Sequence, residues 1–305
     1  MTEPTSRTRR FEGAVAVVTG AGSGLGRASA VRLASEGAHV VAVDVNADAV
    51  EWVVADLPTA GIAVTADVSD EAAVDGYMEA GIAAFGRIDV FHLNAGIFGS
   101  FAPIPDLPVD DFERVMAVNV RGQFLGMRAA LRHYRDRSEA AGSLVPGAIA
   151  FTASIASLRG SADLLPYQTS KHAVTGLVHG GAVYGGPLGI RVNAVAPGIV
   201  PTELFAAAAT TTGGGNDMRA RASTTPLRRA GTPEDIAGVV AFLLSDDAAY
   251  TTGEIVSADG GASIVNTVRP SGGAGAWDPT GVDDGLYGEG WRGSATGREN
   301  EGSAS

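Results

Sequence analysis

The stretch Val17–Ala28, "VVTGAGSGLGRA", leads from an apolar β-branched run through closely spaced glycines into a helical pattern. Glycines let the backbone approach a ligand closely, and a helix that begins there offers unpaired N–H groups and a favourable dipole to a pyrophosphate. The turn by itself also fits a tight strand-to-helix connection that binds nothing. Its position after the first strand favours a nucleotide site.

The rest of the chain alternates between short apolar runs and longer helical patterns. The runs are continuous rather than alternating, which is typical of strands buried on both faces of a parallel sheet. Between them, apolar residues recur at three- and four-residue spacing. This order predicts an α/β fold, a doubly wound parallel sheet of the Rossmann type. The predicted strands are 14–20, 39–45, 62–68, 88–96, 147–154, 190–198 and 253–261, and the predicted helices include 26–37, 71–86, 111–134, 166–185 and one that begins at Pro233 with Thr232 and Asp235 as its capping box.

The catalytic domain is expected to be single and to span residues 11–265, after a disordered N-terminal arm at 1–10. Residues 202–230 are poorly periodic, which indicates a lid or a binding loop. Residues 266–305 are rich in Gly, Ser and acidic residues and predict a flexible tail. Its large aromatic residues leave open whether part of it packs against the body or a neighbouring subunit. They are Trp277, Tyr287 and Trp291.

Composition excludes several classes of function. A formal net charge of -12 over 305 residues opposes binding to nucleic acid. The absence of cysteine excludes disulfides, thiolate metal sites and cysteine nucleophiles. There is no apolar run long enough for a membrane span and no signal-peptide pattern, so we expect a cytoplasmic protein. The five histidines have no paired-ligand spacing, and we expect no metal site.

Acidic residues end the second and third predicted strands. Asp44 can accept hydrogen bonds from the adenosine ribose hydroxyls and would repel a 2′-phosphate, while Ser23 and Val45 offer no basic group to attract one. This favours NAD over NADP, although a strand-end aspartate can also be a simple cap. Asp67 suits the adenine amino group, or is an ordinary helix N-cap.

Taken with the later motifs, the chain resembles the short-chain dehydrogenase/reductase family, in its branch of about 250 residues with one Rossmann-type domain. Three features depart from the family pattern. Leu93 replaces the first of two asparagines before Ala-Gly, Tyr184 stands where relatives often carry glutamate, and the segment 132–148 is longer than usual. The motifs that carry the resemblance are Thr19–Gly26, Asp67, Asn94–Gly96, Asn119, Ser154, Tyr167 with Lys171, and Pro197–Gly198.

The resemblance implies a catalytic set that moves a proton while a hydride moves. Tyr167 would be the acid/base, and Lys171, four residues along the same helix face, would lower the tyrosine pKa and bind the nicotinamide ribose. Ser154 would hold the substrate oxygen, with Ser157 as its competitor for that role. Asn119 would hold a water of a proton relay, or is simply a satisfied buried amide.

The remaining candidate residues would surround the cofactor and the substrate. An ordinary Pro-Gly turn is the alternative for residues 197–199, and the apolar pocket residues could equally be core. If they line a pocket, they favour a hydrophobic or cyclic substrate. The cofactor candidates are Gly20, Ser23, Gly24, Leu25, Gly26, Asp44, Asp67, Val68, Asn94, Ala95, Gly96, Tyr167, Lys171, Pro197, Gly198, Ile199 and Thr202, and the substrate candidates are Ile97, Phe98, Ile155, Leu164 and Leu204.

The function that these residues predict is NAD-dependent interconversion of a secondary alcohol and a ketone. One alternative is a 3-oxoacyl thioester reductase, which usually requires NADPH and is therefore disfavoured by Asp44. Another is a non-catalytic nucleotide-binding regulator, which should have lost Tyr167 or Lys171. The resemblance also implies a homo-oligomer, a tetramer or else a dimer.

Overall fold

The computed structural model describes residues 9–160, 164–204, 222 and 225–265. Over these residues, seven parallel strands form one sheet in the order β3-β2-β1-β4-β5-β6-β7. Successive strands leave β1 in both directions, which confirms the predicted doubly wound arrangement. The strands are β1 (Val15–Thr19), β2 (His39–Asp44), β3 (Gly61–Thr65), β4 (Val90–Leu93), β5 (Gly147–Thr152), β6 (Ile190–Pro197) and β7 (Ile255–Ala258).

Helices cover both faces of the sheet and form two apolar cores. Tyr77, Tyr134 and Val174 belong to the core on one face. Leu33 and Ile236 belong to the core on the other. The helices are α1 (Gly24–Ser35), α2 (Ala47–Ala55), α3 (Glu71–Phe85), α4 (Val109–Met116), α5 (Gln123–Ala141), α6 (Leu165–Gly185) and α7 (Pro233–Leu244).

The two edge strands differ from the prediction that all strands are buried on both faces. β3 and β7 consist mostly of half-buried residues, whereas every residue of β1 is buried. An edge strand pairs on one side only, so part of its surface stays open to solvent. Continuous apolar sequence therefore predicted the strands correctly but overstated their burial.

The predicted helix 111–134 is interrupted. α4 ends at Met116, a π-helical turn spans Ala117–Gly122, and α5 continues from Gln123. Turns of this kind widen the helix and are frequent at functional sites. The buried Asn119 lies in this turn, so the interruption falls where the sequence placed a candidate catalytic residue.

The start of α7 has the predicted capping box. Thr232 Oγ1 accepts a hydrogen bond from Asp235 N at 3.2 Å, and the Asp235 carboxylate accepts one from Thr232 N at 2.9 Å. Pro233 occupies the first turn. Two backbone N–H groups that the helix leaves unpaired are thereby satisfied.

Three predictions concern residues outside the described ranges. They are most of the N-terminal arm at 1–10, most of the lid at 202–230, and the extension at 266–305. Across the described ranges, no helix is both long and apolar enough to cross a bilayer.

Candidate active site

A cavity of about 590 Å³ opens at the carboxyl ends of the central strands. β1 pairs with β2 on one side and with β4 on the other, so the connections leave β1 toward opposite edges of the sheet. Ligands of open α/β sheets bind at such a switch point. Every predicted site residue lines this cavity except Gly26 and Asn119.

The glycine turn at one end of the cavity leaves no room for a side chain at Gly20 or Gly26. A Cβ on Gly26 would lie 1.9 Å from the carbonyl oxygen of Gly20, so the helix packs directly on the turn. Gly24 begins α1 with φ +48°, a conformation that favours glycine. The resulting helix N-terminus faces the cavity and can receive a pyrophosphate.

Asp44 closes the turn from the neighbouring strand. Its carboxylate accepts hydrogen bonds from Gly22 N at 2.9 Å and from Asn46 N at 3.0 Å. Among the described lining residues, Lys171 is the one cationic side chain, and it belongs to the opposite part of the site. The end of the cavity near Asp44 and Asp67 therefore has two carboxylates and no cationic side chain among the described lining residues.

The structure excludes one of the two interpretations of Asp67, the helix N-cap, while the adenine contact stays a prediction. Helix α3 is capped by Asp70, which accepts from Ala72 N at 3.1 Å, so Asp67 is not the N-cap. Asp67 instead accepts from the backbone N–H and the hydroxyl of Ser69 at 2.9 and 2.8 Å. Its side chain is exposed in the cavity wall.

Asn94 joins the ends of β1 and β4. Its backbone N–H donates to Thr19 Oγ1 at 2.9 Å, and its Nδ2 donates to the Thr19 carbonyl at 3.0 Å. Leu93, which replaces the first asparagine of the family pattern, is buried in the core. The expected support of the central strand thus rests on Asn94 alone.

Tyr167 and Phe98 meet at the other end of the cavity. Their ring centroids are 4.4 Å apart. Burial raises the pKa of Tyr167 to about 12, and a hydrogen bond with Ser154 counteracts this only in part. The net pKa of Tyr167 therefore lies above its ordinary value of 10.0, because the loss of solvation outweighs this hydrogen bond, while a lowering by Lys171 stays a prediction.

Lys171 lies on the same face of α6 as Tyr167, as its spacing predicts. Its Nζ is 5.4 Å from the tyrosine ring centroid and donates to the Thr152 carbonyl at 2.8 Å. The side chain is 2% exposed, and burial lowers its pKa to about 8. At neutral pH most molecules therefore keep a buried ammonium beside the phenol.

The geometry separates the two candidate serines. Ser157 is buried and its hydroxyl donates to the Lys171 carbonyl at 2.8 Å. Ser154 lines the cavity, and its Oγ accepts from Ala156 N at 3.1 Å. Because that bond uses a lone pair, the one Ser154 hydroxyl proton remains for the Tyr167 oxygen or for a ligand oxygen beside it.

Asn119 lies behind the cavity wall. Its Oδ1 accepts from Ile97 N at 2.8 Å, while Nδ2 donates to the Ile97 carbonyl at 2.8 Å and to Ser170 Oγ at 2.9 Å. Both amide hydrogens are therefore engaged within the protein. These contacts position the loop that carries Ile97 and match the interpretation of a satisfied amide, while a relay through Asn119 stays a prediction.

The fold brings to the site further residues that the sequence motifs did not predict. Thr152 ends β5 and lines the cavity, which its place at a strand end could have indicated. Glu203 accepts from Gly24 N at 3.0 Å and pairs with Arg27 at 3.0 Å, and no local pattern predicts that long-range contact. Among the described residues, no group of three or more His, Asp or Glu side chains could hold a metal ion.

The family model described as enoyl-(acyl carrier protein) reductase matches residues 20–263. The chain belongs to the short-chain dehydrogenase/reductase family. The matched segment includes the glycine turn, Ser154, Tyr167 and Lys171. The resemblance identified from separate motifs is thereby confirmed over one continuous segment.

Similar proteins agree with this assignment. Levodione reductase of Leifsonia aquatica is 41% identical over 271 residues, covering 86% of this chain and 99% of that protein. A crystal structure of levodione reductase superposes with a TM-score of 0.78 at 39% identity, covering 84% of this chain and all of that one. The cis-4-hydroxycyclohexanecarboxylate dehydrogenase of Sinomonas cyclohexanicum is 40% identical over 258 residues, covering 84% and 98%.

A further solved structure carries a nucleotide. The 3-ketoacyl-(acyl-carrier-protein) reductase from Brucella melitensis, complexed with NADH, has a TM-score of 0.75 at 35% identity and covers 83% of this chain and 100% of that one. The enzyme is thus an oxidoreductase of the alcohol dehydrogenase/ketone reductase type with a nicotinamide cofactor. Its glycine turn fits such a cofactor, because Gly20 and Gly24 line the cavity with backbone atoms alone.

Proposed function

We propose that the enzyme interconverts a cyclic secondary alcohol and the matching ketone, with NAD as its cofactor. The observation that carries the proposal is that Ser154, Tyr167 and Lys171 line the same cavity as the glycine turn. The cofactor would extend from that turn toward Tyr167. The substrate would occupy the apolar end of the cavity.

Tyr167 would serve as the acid/base of the reaction. In alcohol oxidation its phenolate takes the hydroxyl proton, and in ketone reduction the phenol returns a proton to the oxygen. The bound nicotinamide supplies the other half of the chemistry by accepting or returning a hydride. Ser154 donates a hydrogen bond to the substrate oxygen and keeps it within reach of the phenol.

Lys171 would make that proton transfer possible near neutral pH. Burial raises the pKa of Tyr167 to about 12, which opposes formation of the phenolate. A positive charge on Lys171 favours the phenolate, since opposite charges attract more strongly in a poorly solvated site. The same side chain would orient the cofactor ribose. Asn119 would complete the set through its contacts with the Ile97 loop.

Asp44 supports the choice of NAD. Its carboxylate lies at the end of β2, held by Gly22 and Asn46. There it can accept hydrogen bonds from ribose hydroxyls, and it would repel a 2′-phosphate. Initial rates with NAD and NADP at equal concentration test the choice, and equal or higher activity with NADP would contradict it.

The apolar wall of the cavity supports a cyclic substrate. Phe98 packs on both Phe101 and Tyr167, with centroid distances of 6.1 and 4.4 Å. Ile155, Leu164 and Leu204 complete this wall. Such a surface favours a compact neutral ring, and one relative named above is by its name a dehydrogenase of a cyclohexane compound.

A panel of alcohols with NAD, monitored as NADH formation, tests the proposed substrate class. Cyclohexanol should be oxidised with a higher kcat/KM than linear 2-hexanol, because the rigid ring loses less conformational freedom on binding. Cis-4-hydroxycyclohexanecarboxylate should be a poorer substrate than cyclohexanol, since the described wall offers its carboxylate no cation besides Lys171. Preference for the linear alcohol would contradict the proposal.

Reduction of 3-oxoacyl thioesters remains the second candidate. It is favoured by the likeness to a 3-ketoacyl reductase whose structure contains NADH. Acetoacetyl-CoA with NADH separates the two candidates. A kcat/KM for the thioester above that for any cyclic ketone would reverse their order.

We also propose that the enzyme is a cytoplasmic homo-oligomer, a tetramer or else a dimer. Large apolar side chains are exposed on two neighbouring helices, Phe124 on α5 and Val183 and Tyr184 on α6. Apolar surface of this kind often marks an interface between subunits. Light scattering after size exclusion measures the mass, and a single-chain mass of 30.8 kDa would contradict the proposal.

A further inference from the structure

A buried polar contact lies behind the catalytic residues, between β4 and β5. His92 is fully buried in β4, and its Nε2 is 2.9 Å from Thr152 Oγ1 at the end of β5. Neither residue was singled out by the motifs of the sequence. A histidine in the middle of an apolar sheet requires an explanation, because burial without a partner costs free energy.

The direction of each hydrogen bond in this contact follows from its neighbours. Asn94 Nδ2 donates to the Thr19 carbonyl, so its Oδ1 faces the Thr152 hydroxyl as an acceptor, at 2.9 Å. The Thr152 hydroxyl has one proton and gives it to Asn94. It must therefore accept from His92, whose Nε2 carries the hydrogen.

The backbone of Thr152 faces the catalytic lysine. Its carbonyl oxygen accepts from Lys171 Nζ at 2.8 Å, and Ala153 N donates to the Val195 carbonyl at 2.8 Å. The side chain, held by His92 and Asn94, limits rotation of this last strand residue. The direction of its carbonyl is fixed as a consequence.

We propose that His92 is a positioning residue: by donating to Thr152 it orients the carbonyl that holds Lys171 beside Tyr167. His92 touches neither the substrate nor the cofactor. It acts from the opposite side of the sheet, since its neighbour Val90, two residues away, belongs to the core formed with α1 and α7, whereas Lys171 belongs to α6. The proposal rests on the function proposed above.

The contact keeps the same form throughout the working pH range. Burial, together with the positive charge of Lys171, lowers the pKa of His92 to about 3. Protonation would add a hydrogen to Nδ1, which has no hydrogen-bond partner within the described residues. His92 therefore stays neutral, and Lys171 is the charged group that bears on it.

Three variants test the role of the donated hydrogen. His92→Leu removes it at similar side-chain size, whereas His92→Gln can place an amide N–H near the position of Nε2. Thr152→Val removes the receiving hydroxyl. His39→Leu is the control, because this histidine begins β2 outside the cavity lining and stacks on Phe85.

For H92L we expect kcat for alcohol oxidation to fall about tenfold, the size expected for one lost hydrogen bond in a positioning network. The KM for the alcohol should change little. The acid limb of the pH profile of kcat should move to higher pH, because a displaced Lys171 ammonium stabilises the Tyr167 phenolate less. T152V should show the same shift, the double variant should add little to it, and H92Q should recover most of the loss.

Each outcome decides the matter. A folded H92L with unchanged kcat and an unmoved acid limb overturns the proposal, as does H92Q that is as impaired as H92L, or H39L that shifts the profile equally. If H92L does not fold, an unmoved acid limb in T152V overturns it. Tyr167→Phe distinguishes failure of the His92 proposal from failure of the proposed function, because activity that survives this change refutes the proposed function itself.

Discussion

Lys171 places its Nζ 5.4 Å from the centroid of the Tyr167 ring, one turn further along α6. Burial affects the two groups in opposite directions: it raises the pKa of the phenol to about 12 and lowers that of the ammonium to about 8. Both shifts favour the neutral forms. Activity near neutral pH therefore depends on how strongly the remaining positive charge stabilises the phenolate.

Replacement of the phenol is the most direct test of the proposed chemistry. We expect Tyr167→Phe to lower kcat by about 10²–10⁴-fold, the range for loss of a general acid/base. The dissociation constant for NADH, measured by fluorescence, should stay within a few-fold of the wild type, since the ring and its packing on Phe98 are retained. Full activity in this variant would remove Tyr167 from the mechanism.

Lys171 should lower stability at neutral pH. Its folded-state pKa of about 8 lies below the ordinary value of 10.5, so the unfolded chain binds more protons between those values. The free energy of unfolding contributed by Lys171 therefore rises as pH increases through that window, by at most about 3 kcal/mol.

Lys171→Met should consequently gain most in stability, relative to the wild type, below pH 8, and this gain should shrink toward pH 10.5. Urea unfolding of both proteins across this range measures the difference. The lost hydrogen bond to the Thr152 carbonyl subtracts a roughly constant amount. A difference that does not vary with pH would contradict the assigned pKa shift.

Asp44 should control the choice between the two dinucleotides. For Asp44→Ser we expect the ratio of kcat/KM with NAD to kcat/KM with NADP to fall by at least about tenfold. The substitution removes the negative charge that would repel a 2′-phosphate, and it removes the expected hydrogen bonds to the ribose hydroxyls. Asp56→Asn is the matched control, an exposed carboxylate at the end of α2 and outside the cavity lining. An unchanged ratio in D44S would show that another group selects the cofactor.

Gly26 should tolerate no side chain, because a Cβ would lie 1.9 Å from the Gly20 carbonyl oxygen. We expect Gly26→Ala to abolish NADH binding, measured by fluorescence titration, or to prevent folding. Gly76→Ala, in α3 with nothing within 4 Å of the added Cβ, should bind NADH normally and be stabilised by about 0.5–1 kcal/mol. Normal NADH affinity in G26A would mean that the turn can rearrange.

Replacement of Ser154 should affect activity, whereas replacement of Ser157 should affect stability. Ser154→Ala should lower kcat/KM because Ser154 lines the cavity beside Tyr167. Ser157→Ala should chiefly lower the thermal midpoint, since that hydroxyl is buried and bonded to the Lys171 carbonyl. Equal losses of activity at unchanged stability would contradict this division.

The sequence by itself determined the strands, their parallel arrangement and the strand ends at which the candidate residues lie. These features depend on local patterns: continuous apolar runs form buried strands, glycines fix the turn at Gly24–Gly26, and residues that follow a strand lie at the same edge of a parallel sheet. The cavity lining at Asp44, Asn94 and Ser154 could be predicted for that reason.

Tertiary structure alone decided the properties that depend on neighbours distant in sequence. The pKa of Tyr167 is raised chiefly by burial, which depends on the packing around α6. The amide of Asn119 is engaged by Ile97 and Ser170, and His92 meets Thr152 only because β4 and β5 are adjacent. Solvation and hydrogen-bond partners are properties of packing, and no local pattern contains them.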